Sequence, residues 1–246
     1  MIEDADTVDR EDVDRFAAHS ASWWDPWGSF RPLHRINSAR IEFIRRHLLA
    51  HFRRDARSLR PFDGLSLVDL GCGGGLVAEP MARLGFAVRG IDAGAEAIAA
   101  ARAHAEASRL AIEYRVGSIE TLARSGDRFD VALALEIVEH VPDRDAFLAG
   151  IGHLVKPGGM FIGATLNRTG RSFALAIVGA EYLLGWLPRG THDWNRFVRP
   201  SEFVLGLRHG GLAATELAGF AYDWRTGNWA ESGDLSVNYM VVAVRR

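Results

Sequence analysis

Three side chains that can do chemistry stand close together in the middle of the chain. Glu136, Glu139 and His140 are spaced i, i+3 and i+4, so one turn of helix would bring them to the same face. Two carboxylates and an imidazole could ligate a hard divalent cation. His140 or Glu139 could also take the proton from an acceptor hydroxyl. A polar helix start uses the same residue types, so a metal site, a general base and a structural role all remain open.

A glycine-rich loop forms the second group of chemically significant residues. In residues 69–75 an acid is followed, one residue later, by four glycines in five positions. Glycines let a backbone approach a ligand where a Cβ would obstruct it. The sixth position from Gly71 is Leu76, so the dinucleotide fingerprint is absent. Asp92 follows the next apolar run, where a carboxylate can hold both hydroxyls of a ribose. A tight structural turn is the alternative, but the combination resembles the S-adenosylmethionine site of class I methyltransferases, with contacts at Asp69, Gly71, Gly73 and Asp92.

The elements that would carry these residues alternate between strand and helix. Short apolar runs without alternation predict strands that are buried on both faces. The predicted parallel strands are residues 67–70, 87–91, 112–116, 129–135 and 160–165, with helices at 76–84 and 95–108. Residues 213–220 and 237–244 are close enough in sequence to pair antiparallel. The predicted fold is therefore α/β and Rossmann-like, a mostly parallel seven-stranded sheet with a C-terminal antiparallel pair and helices on both faces, which is the usual shape of a class I methyltransferase.

The chain before the first strand is predicted to be a helical arm. Residues 8–21 have the pattern of a charged helix, and residues 23–30 form a dense aromatic turn. That turn is either a hydrophobic plug that seats the arm or a lid over cofactor and acceptor. An arginine-rich loop at residues 53–64 marks the boundary. We therefore expect an N-terminal helical arm and lid at residues 1–64 and a methyltransferase domain at residues 65–246.

A second helix is predicted within this arm. Asn37 can cap a helix that runs to about His51, because asparagine is favoured at the first position of a helix. Arg40 would then lie in the first turn, near the apolar stripe.

An apolar segment interrupts the second half of the domain at about residues 170–196. From Ser172 to Leu187 the only charge is Glu181, and arginines flank the segment on both sides. It is too short to span a bilayer, which takes about 20 residues. It is either an interfacial helix that reaches an apolar substrate or the membrane surface, or a core helix of an inserted subdomain. The polar residues 190–194 that follow can line the acceptor pocket.

Composition restricts the class of protein. With 246 residues, 48% hydrophobic and 24% charged, the chain suits one soluble globular domain or a domain with an appendage. The formal net charge of −2 provides no basic field, so we expect no nucleic-acid partner. Cys72 is the one cysteine, which excludes an internal disulfide and a cysteine-rich metal site. The acidic N-terminal residues predict no signal peptide, and we expect a cytoplasmic location.

Several segments, spread over nearly the whole chain, are similar to the ubiquinone-biosynthesis O-methyltransferase family. The tryptophan pair with its following acid and the Gly-Thr-His-Asp stretch are particular to that family, whereas the glycine loop is shared with many methyltransferases. The matching segments are residues 22–25, 32–37 with Arg40, 69–75, 139–143, 154–159, 165–168, 178–182, 190–193 and 237–240.

The resemblance implies an enzyme that uses S-adenosylmethionine to methylate phenolic hydroxyls of polyprenylated ubiquinone precursors, at both O-methylation steps. It implies cofactor contacts at Arg40, Gly71, Asp92 and Leu135, with Arg40 as a partner of the methionine carboxylate. It also implies magnesium at Glu136, Glu139 and His140. From the composition of Ser172–Leu187 we also expect contact with the membrane surface and a peripheral location, and a quinone-biosynthesis complex is a further candidate partner.

Two competing functions are compatible with the same residues. One is a class I methyltransferase that acts on another small apolar phenol or acid, which would methylate a soluble catechol as efficiently as a prenylated one. The other is a cofactor-binding scaffold of a biosynthetic complex without turnover of its own. A methyl-transfer assay separates them.

Overall fold

One eight-stranded sheet organises the computed structural model, which describes residues 7–175, 193–223 and 225–246. The strands are β1 (Ser66–Leu70), β2 (Ala87–Asp92), β3 (Ile112–Val116), β4 (Phe129–Leu135), β5 (Val155–Leu166), β6 (Leu212–Asp223), β7 (Asn228–Ser232) and β8 (Asn238–Arg245). Their order is β3-β2-β1-β4-β5-β8-β6-β7. Strands β1 to β5 are parallel, and β8 is antiparallel to both β5 and β6. This confirms the predicted α/β fold with its C-terminal antiparallel pair.

The predicted number of seven strands is wrong, because β7 adds an eighth at one edge of the sheet. Among the described strands it pairs with β6 alone, and each of its side chains is exposed or half-buried. Its sequence, Asn-Trp-Ala-Glu-Ser, is therefore largely polar. An edge strand that buries little has no apolar run by which to recognise it.

The helices follow the predicted alternation, and the largest shift is in the start of α2. They are α1 (Arg10–Ala17), α2 (Arg31–His51), α3 (Ala78–Arg83), α4 (Ala95–Ala107), α5 (Ile119–Ser125), α6 (Arg144–Leu154), the single turn α7 (Gly170–Ser172) and α8 (Pro200–His209). Helix α2 begins at Arg31, not at Asn37, because Pro32 lies in its first turn, where a missing N–H costs nothing. Asn37 instead lies inside the helix, and its Nδ2 donates a hydrogen bond to the carbonyl of Leu76 at 2.8 Å. Arg40 therefore projects from the middle of α2, not from its first turn.

Both faces of the sheet are covered, which explains the continuous apolar strands. Successive residues of β1 face opposite sides: Leu67 packs into one hydrophobic cluster and Val68 into the other. Helix α2 contributes Phe43, Ile44 and Leu48 to the Leu67 cluster. The N-terminal arm thus shares the core of the sheet, and this packing holds α2 over the carboxyl edge of β1.

Part of the apolar segment lies outside the described residues. Of the stretch from Ser172 to Leu187, the structure describes residues 172–175, and of residues 190–194 it describes Asp193 and Trp194. Among the described helices, none is long and apolar enough to cross a membrane.

Candidate cofactor and acceptor site

A cavity of about 740 Å³ opens at the carboxyl edge of the parallel strands. The loops after β1, β2 and β4 form its floor, and α1, α2 and the aromatic turn close it from above. The sequence-predicted residues that line it are Arg40, Asp69, Gly71, Gly73, Asp92, Leu135, Glu136 and His140. Glu139 does not line this cavity; it lines a smaller one of about 170 Å³ on the other side of His140. The fold therefore brings all but one of the predicted site residues to one cavity.

The glycine loop is tied to the end of β2 by backbone hydrogen bonds. The N–H groups of Gly71 and Cys72 donate to the carbonyl of Ile91, at 2.8 and 3.0 Å. Gly73 N donates to Oδ2 of Asp92 at 2.8 Å, and Gly94 N donates to the other oxygen at 2.8 Å. Burial raises the pKa of Asp92, although these two N–H donors act against it. The Asp92 carboxylate thus fixes the loop and lines the same cavity.

Asp69, at the end of β1, is a second buried carboxyl beside this loop. Its side chain is only 3% exposed. Burial, and after it the charge of Asp92, raise the pKa of Asp69 to about 7, while a backbone hydrogen bond from Ala78 lowers it. Near neutral pH this carboxyl is therefore partly protonated, which reduces its repulsion of Asp92.

An arginine and a glutamate from distant parts of the chain meet in the cavity. The guanidinium of Arg40 pairs with the carboxylate of Glu136, which directly follows β4. Glu136 has φ +54°, a left-handed conformation that is uncommon for residues other than glycine. Its N–H donates to the carbonyl of Ala164 in β5 at 2.9 Å, which continues the sheet pairing by one residue. The left-handed turn directs the Glu136 side chain back toward α2.

Glu139 points into the protein core instead of into the main cavity. The hydroxyl of Thr165 donates to its Oε2 at 2.8 Å, and Oε1 has no hydrogen-bond partner among the described residues. Burial, followed by the neighbouring charge of Glu136, raises the pKa of Glu139 well above its usual range. Because the Glu139 side chain is buried and does not line the main cavity, we do not place it as the base that acts on a substrate there.

His140 faces helix α1. Its Nδ1 lies 3.0 Å from Oδ2 of Asp12, and its ring meets Phe16 edge-on with centroids 5.3 Å apart. Burial raises the pKa of Asp12, but the hydrogen bond from His140 and the nearby positive charges outweigh it, so the net shift is downward. An ionised carboxylate thereby orients the imidazole beside the main cavity.

The predicted shared face of Glu136, Glu139 and His140 does not form. The left-handed Glu136 precedes the short 3₁₀ turn Val138–His140, so the three side chains diverge toward α2, the core and α1. Within the described part of the chain, no group of three His, Cys, Asp or Glu side chains is placed to hold a metal ion. Of these three side chains, only the carboxylates of Glu136 and Glu139 are neighbours.

Two functional candidates were missed by sequence reasoning. Asp12 lies in an ordinary acidic stretch, and no spacing relates it to His140. Thr165 ends a predicted strand, and nothing in the sequence indicates that its hydroxyl donates a hydrogen bond to Glu139. Only the topology, which brings the end of β5 beside the 3₁₀ turn and lays α1 over it, could have identified them.

The order of the sheet, the glycine loop after β1 and the acid after β2 define a class I methyltransferase fold. A family model described as a methyltransferase domain matches residues 68–163. Among solved structures, magnesium protoporphyrin IX methyltransferase from Synechocystis PCC 6803 with bound SAH superposes with a TM-score of 0.69 at 18% identity, over 97% of this chain and 100% of that one. At this identity the likeness establishes the fold alone.

Curated relatives identify the family. The chain is 54% identical to ubiquinone biosynthesis O-methyltransferase of Paramagnetospirillum magneticum over 97% of its own length and 96% of that protein. It is 51% identical to the protein of the same name from Methylobacterium nodulans, over 97% and 96% of the two chains. With that from Cereibacter sphaeroides the identity is 48% over the full length of both. The chain belongs to the ubiquinone biosynthesis O-methyltransferase family.

Proposed function

We propose that this protein transfers the methyl group of S-adenosylmethionine to a phenolic oxygen of a polyprenylated ubiquinone precursor, at both O-methylation steps. The observation that carries the proposal is one shared cavity. The glycine loop and Asp92 lie on its floor, and His140, oriented by Asp12, lies on its wall. A cofactor site and a proton acceptor are thus within reach of a single bound substrate.

The cofactor site is proposed from the residues at the carboxyl edge of the sheet. Asp92 would hold the ribose, the loop at Asp69, Gly71 and Gly73 would lie along the cofactor, and Leu135 would contact it from the end of β4. The Arg40 guanidinium would bind the methionine carboxylate, because a buried arginine forms strong charge-assisted hydrogen bonds with such a group. For this, Arg40 must exchange its pairing with Glu136.

When bound, S-adenosylmethionine would supply an electrophilic methyl carbon on a positively charged sulfur for the substrate oxygen. The chain contributes orientation, and holding reactants in line can supply about 7–11 kcal/mol. His140 accepts the phenolic proton as the oxygen–carbon bond forms and the carbon–sulfur bond breaks. Asp12 stabilises the imidazolium that results. Glu139 is buried and does not line the cavity, so the role of base that was predicted for it is assigned to His140 alone.

Magnesium remains a prediction that depends on rearrangement of the acid pair. In its support, Glu136 and Glu139 are neighbours, and Oε1 of Glu139 is buried without a hydrogen-bond partner in the part of the chain that the structure describes, as expected of a ligand atom for a hard cation. Against it, Arg40 already neutralises Glu136 and Asp12 occupies Nδ1 of His140.

The acceptor side of the cavity fits an apolar substrate. Its wall includes apolar side chains from the arm, α6, the end of β5, and strands β6 and β7: Leu33, Ile36, Phe147, Leu166, Phe220 and Trp229. Residues 1–64 would act as the lid, since α1 and the aromatic turn form the roof. A prenyl tail could leave the cavity past Leu175, which also lines it.

Contact with the membrane surface is proposed for the segment that begins at Ser172. Phe173 and Leu175 are 46% and 52% exposed beside Arg171, a pairing of apolar and cationic side chains that suits an interfacial site. A peripheral location and a place in a quinone-biosynthesis complex would follow. Cosedimentation with liposomes, compared for wild type and Phe173→Ser, tests the contact: equal cosedimentation of the two would argue against it.

The deciding experiment measures methyl transfer from labelled S-adenosylmethionine to a short-chain prenylated catechol, with EDTA and with added magnesium. Product that disappears with EDTA and returns with magnesium supports both the activity and the metal. Product that is indifferent to chelation supports the activity and rejects the metal. No product, despite measurable cofactor binding, would overturn the proposed acceptor or the activity itself.

A further inference from the structure

We infer that Trp23 is a cofactor-contacting residue whose indole N–H donates a hydrogen bond to the bound cofactor. The inference rests on the proposed function, since it concerns the same cofactor cavity. Trp23 belongs to the aromatic turn, for which the sequence left a plug and a lid equally open.

The ring of Trp23 packs against the glycine loop. It lies across the backbone of Gly73 and Gly74, so closely that a Cβ at either glycine would collide with it. Because these two glycines have no Cβ, the aromatic ring of the arm can pack directly against the backbone of the loop. The other face of the ring stacks on Phe30, with centroids 3.6 Å apart and planes 7° from parallel. With both faces covered, only the edge of the ring remains to meet a ligand.

The edge of the Trp23 ring carries the indole nitrogen Nε1. Trp23 is 8% exposed, and its Nε1 is buried with no hydrogen-bond partner among the described residues. Leaving a buried donor unpaired costs about 1–3 kcal/mol. Trp23 also lines the main cavity, alongside Gly73 and Asp92. A ligand with oxygen and nitrogen acceptors in that cavity would satisfy the donor.

The Trp23 ring is held in place through the contacts of the next residue, Trp24. The neighbouring Trp24 uses its own N–H fully, donating to the carbonyl of Gly74 at 2.9 Å. Its ring stacks on His104 at 3.4 Å, and His104 in turn bonds to the buried Glu79 at 2.6 Å. Trp24 therefore anchors the arm to the loop and to α4. The two adjacent tryptophans have different roles, one anchoring the arm and the other facing the cofactor.

The test compares Trp23→Phe with Trp27→Phe in the full chain. Phenylalanine keeps a ring between the loop and Phe30 but removes the N–H. Trp27 is 77% exposed and serves as the matched control. We expect titration calorimetry with S-adenosylhomocysteine to show about five- to tenfold weaker binding for Trp23→Phe, the range of one net hydrogen bond, and less than twofold for Trp27→Phe. Thermal unfolding without ligand checks that both variants fold.

A second measurement uses the unmodified sequence. With ¹⁵N-labelled tryptophan, the Nε1–H resonance of Trp23, identified by its absence in Trp23→Phe, should shift when S-adenosylhomocysteine saturates the protein. An unmoved resonance, or equal affinities of the two variants, would overturn the role of Trp23 while leaving the enzyme in place. Failure of the wild type to bind S-adenosylhomocysteine at all would instead overturn the proposed cofactor, and this inference with it.

Discussion

Nδ1 of His140 lies 3.0 Å from Oδ2 of Asp12, although 128 residues separate them in the sequence. Arg196 also pairs with Asp12, at 3.3 Å, and with Asp9, at 2.7 Å. This network joins the N-terminal helix to the turn after β4. The position of α1 and the orientation of His140, the proposed base, therefore depend on each other, and a change in one should disturb the other.

Asp12→Asn should slow methyl transfer about 10–100-fold with little change in cofactor affinity. The amide keeps the shape of the side chain but cannot stabilise a charged imidazole, as expected when a base loses its orienting carboxylate. His140→Ala should lower turnover by about 10²–10⁴-fold, the usual contribution of a general base. Single-turnover rates and calorimetric binding of S-adenosylhomocysteine distinguish the two effects.

Asp145→Asn is the matched control for these variants, because Asp145 is an acid at the start of α6 and does not line the cavity. Its rate should equal that of the wild type. Full turnover by His140→Ala would show that His140 takes no part in the chemistry, and its contact with Asp12 would then serve only to hold α1 against the turn after β4.

The sequence predicted the parallel sheet because its strands are buried on both faces and leave long apolar runs. It could not predict that Asn37 lies inside α2, since Pro32 allows an earlier start than the asparagine signal indicates. The shared face of Glu136, Glu139 and His140 failed for a comparable reason. A single left-handed residue, Glu136, breaks the helical spacing on which the prediction depended. Contacts such as Asp12 with His140 depend on topology and leave no local pattern.

Asp69→Asn should become progressively more stable than the wild type as the pH rises from about 4 to 7. Asp69 has a pKa raised from 3.8 to about 7 by burial and by Asp92. In this window the folded state therefore binds more protons than the unfolded state, and the free energy of unfolding falls as the pH rises. Asparagine cannot ionise and escapes this loss. Urea unfolding at pH 4.5 and 7.5 should show a relative gain on the order of 2–4 kcal/mol.

For Asp127→Asn we expect the opposite pH dependence of stability relative to the wild type. Hydrogen bonds from Ser125 and then Arg89 lower the pKa of Asp127. Its contribution is present at neutral pH and is lost on acidification, so this variant should approach the wild type as the pH falls. If Asp69→Asn showed no pH-dependent gain, Asp69 would be ionised in the folded protein despite its burial.

Glu136→Gln should bind S-adenosylhomocysteine more tightly than the wild type, whereas Arg40→Met should bind it at least tenfold more weakly. In the structure the Arg40 guanidinium pairs with Glu136 and must release it to bind a carboxylate. The glutamine removes the competing charge and keeps the arginine. Calorimetry at two salt concentrations measures both effects. Weaker binding by Glu136→Gln would mean that Glu136 itself contacts the cofactor or orders the loop.

Gly75→Ala should destabilise the fold by more than Gly126→Ala, although both glycines have left-handed backbones, with φ +89° and +73°. A Cβ at Gly126 meets nothing within 4 Å, so alanine there costs only the backbone strain, about 1–2 kcal/mol. At Gly75 the Cβ would also collide with the hydroxyl of Tyr114, which adds roughly 1–3 kcal/mol of overpacking.

The hydroxyl of Tyr114 is buried without a partner among the described residues, so Tyr114→Phe should be nearly neutral by itself. The double variant Gly75→Ala/Tyr114→Phe should then recover most of the overpacking term in urea unfolding, leaving a loss slightly larger than that of Gly126→Ala, because Cζ of the ring still lies 3.0 Å from the added Cβ. If the double variant were as unstable as Gly75→Ala alone, the collision would not be the cause, and the loop conformation itself would carry the cost.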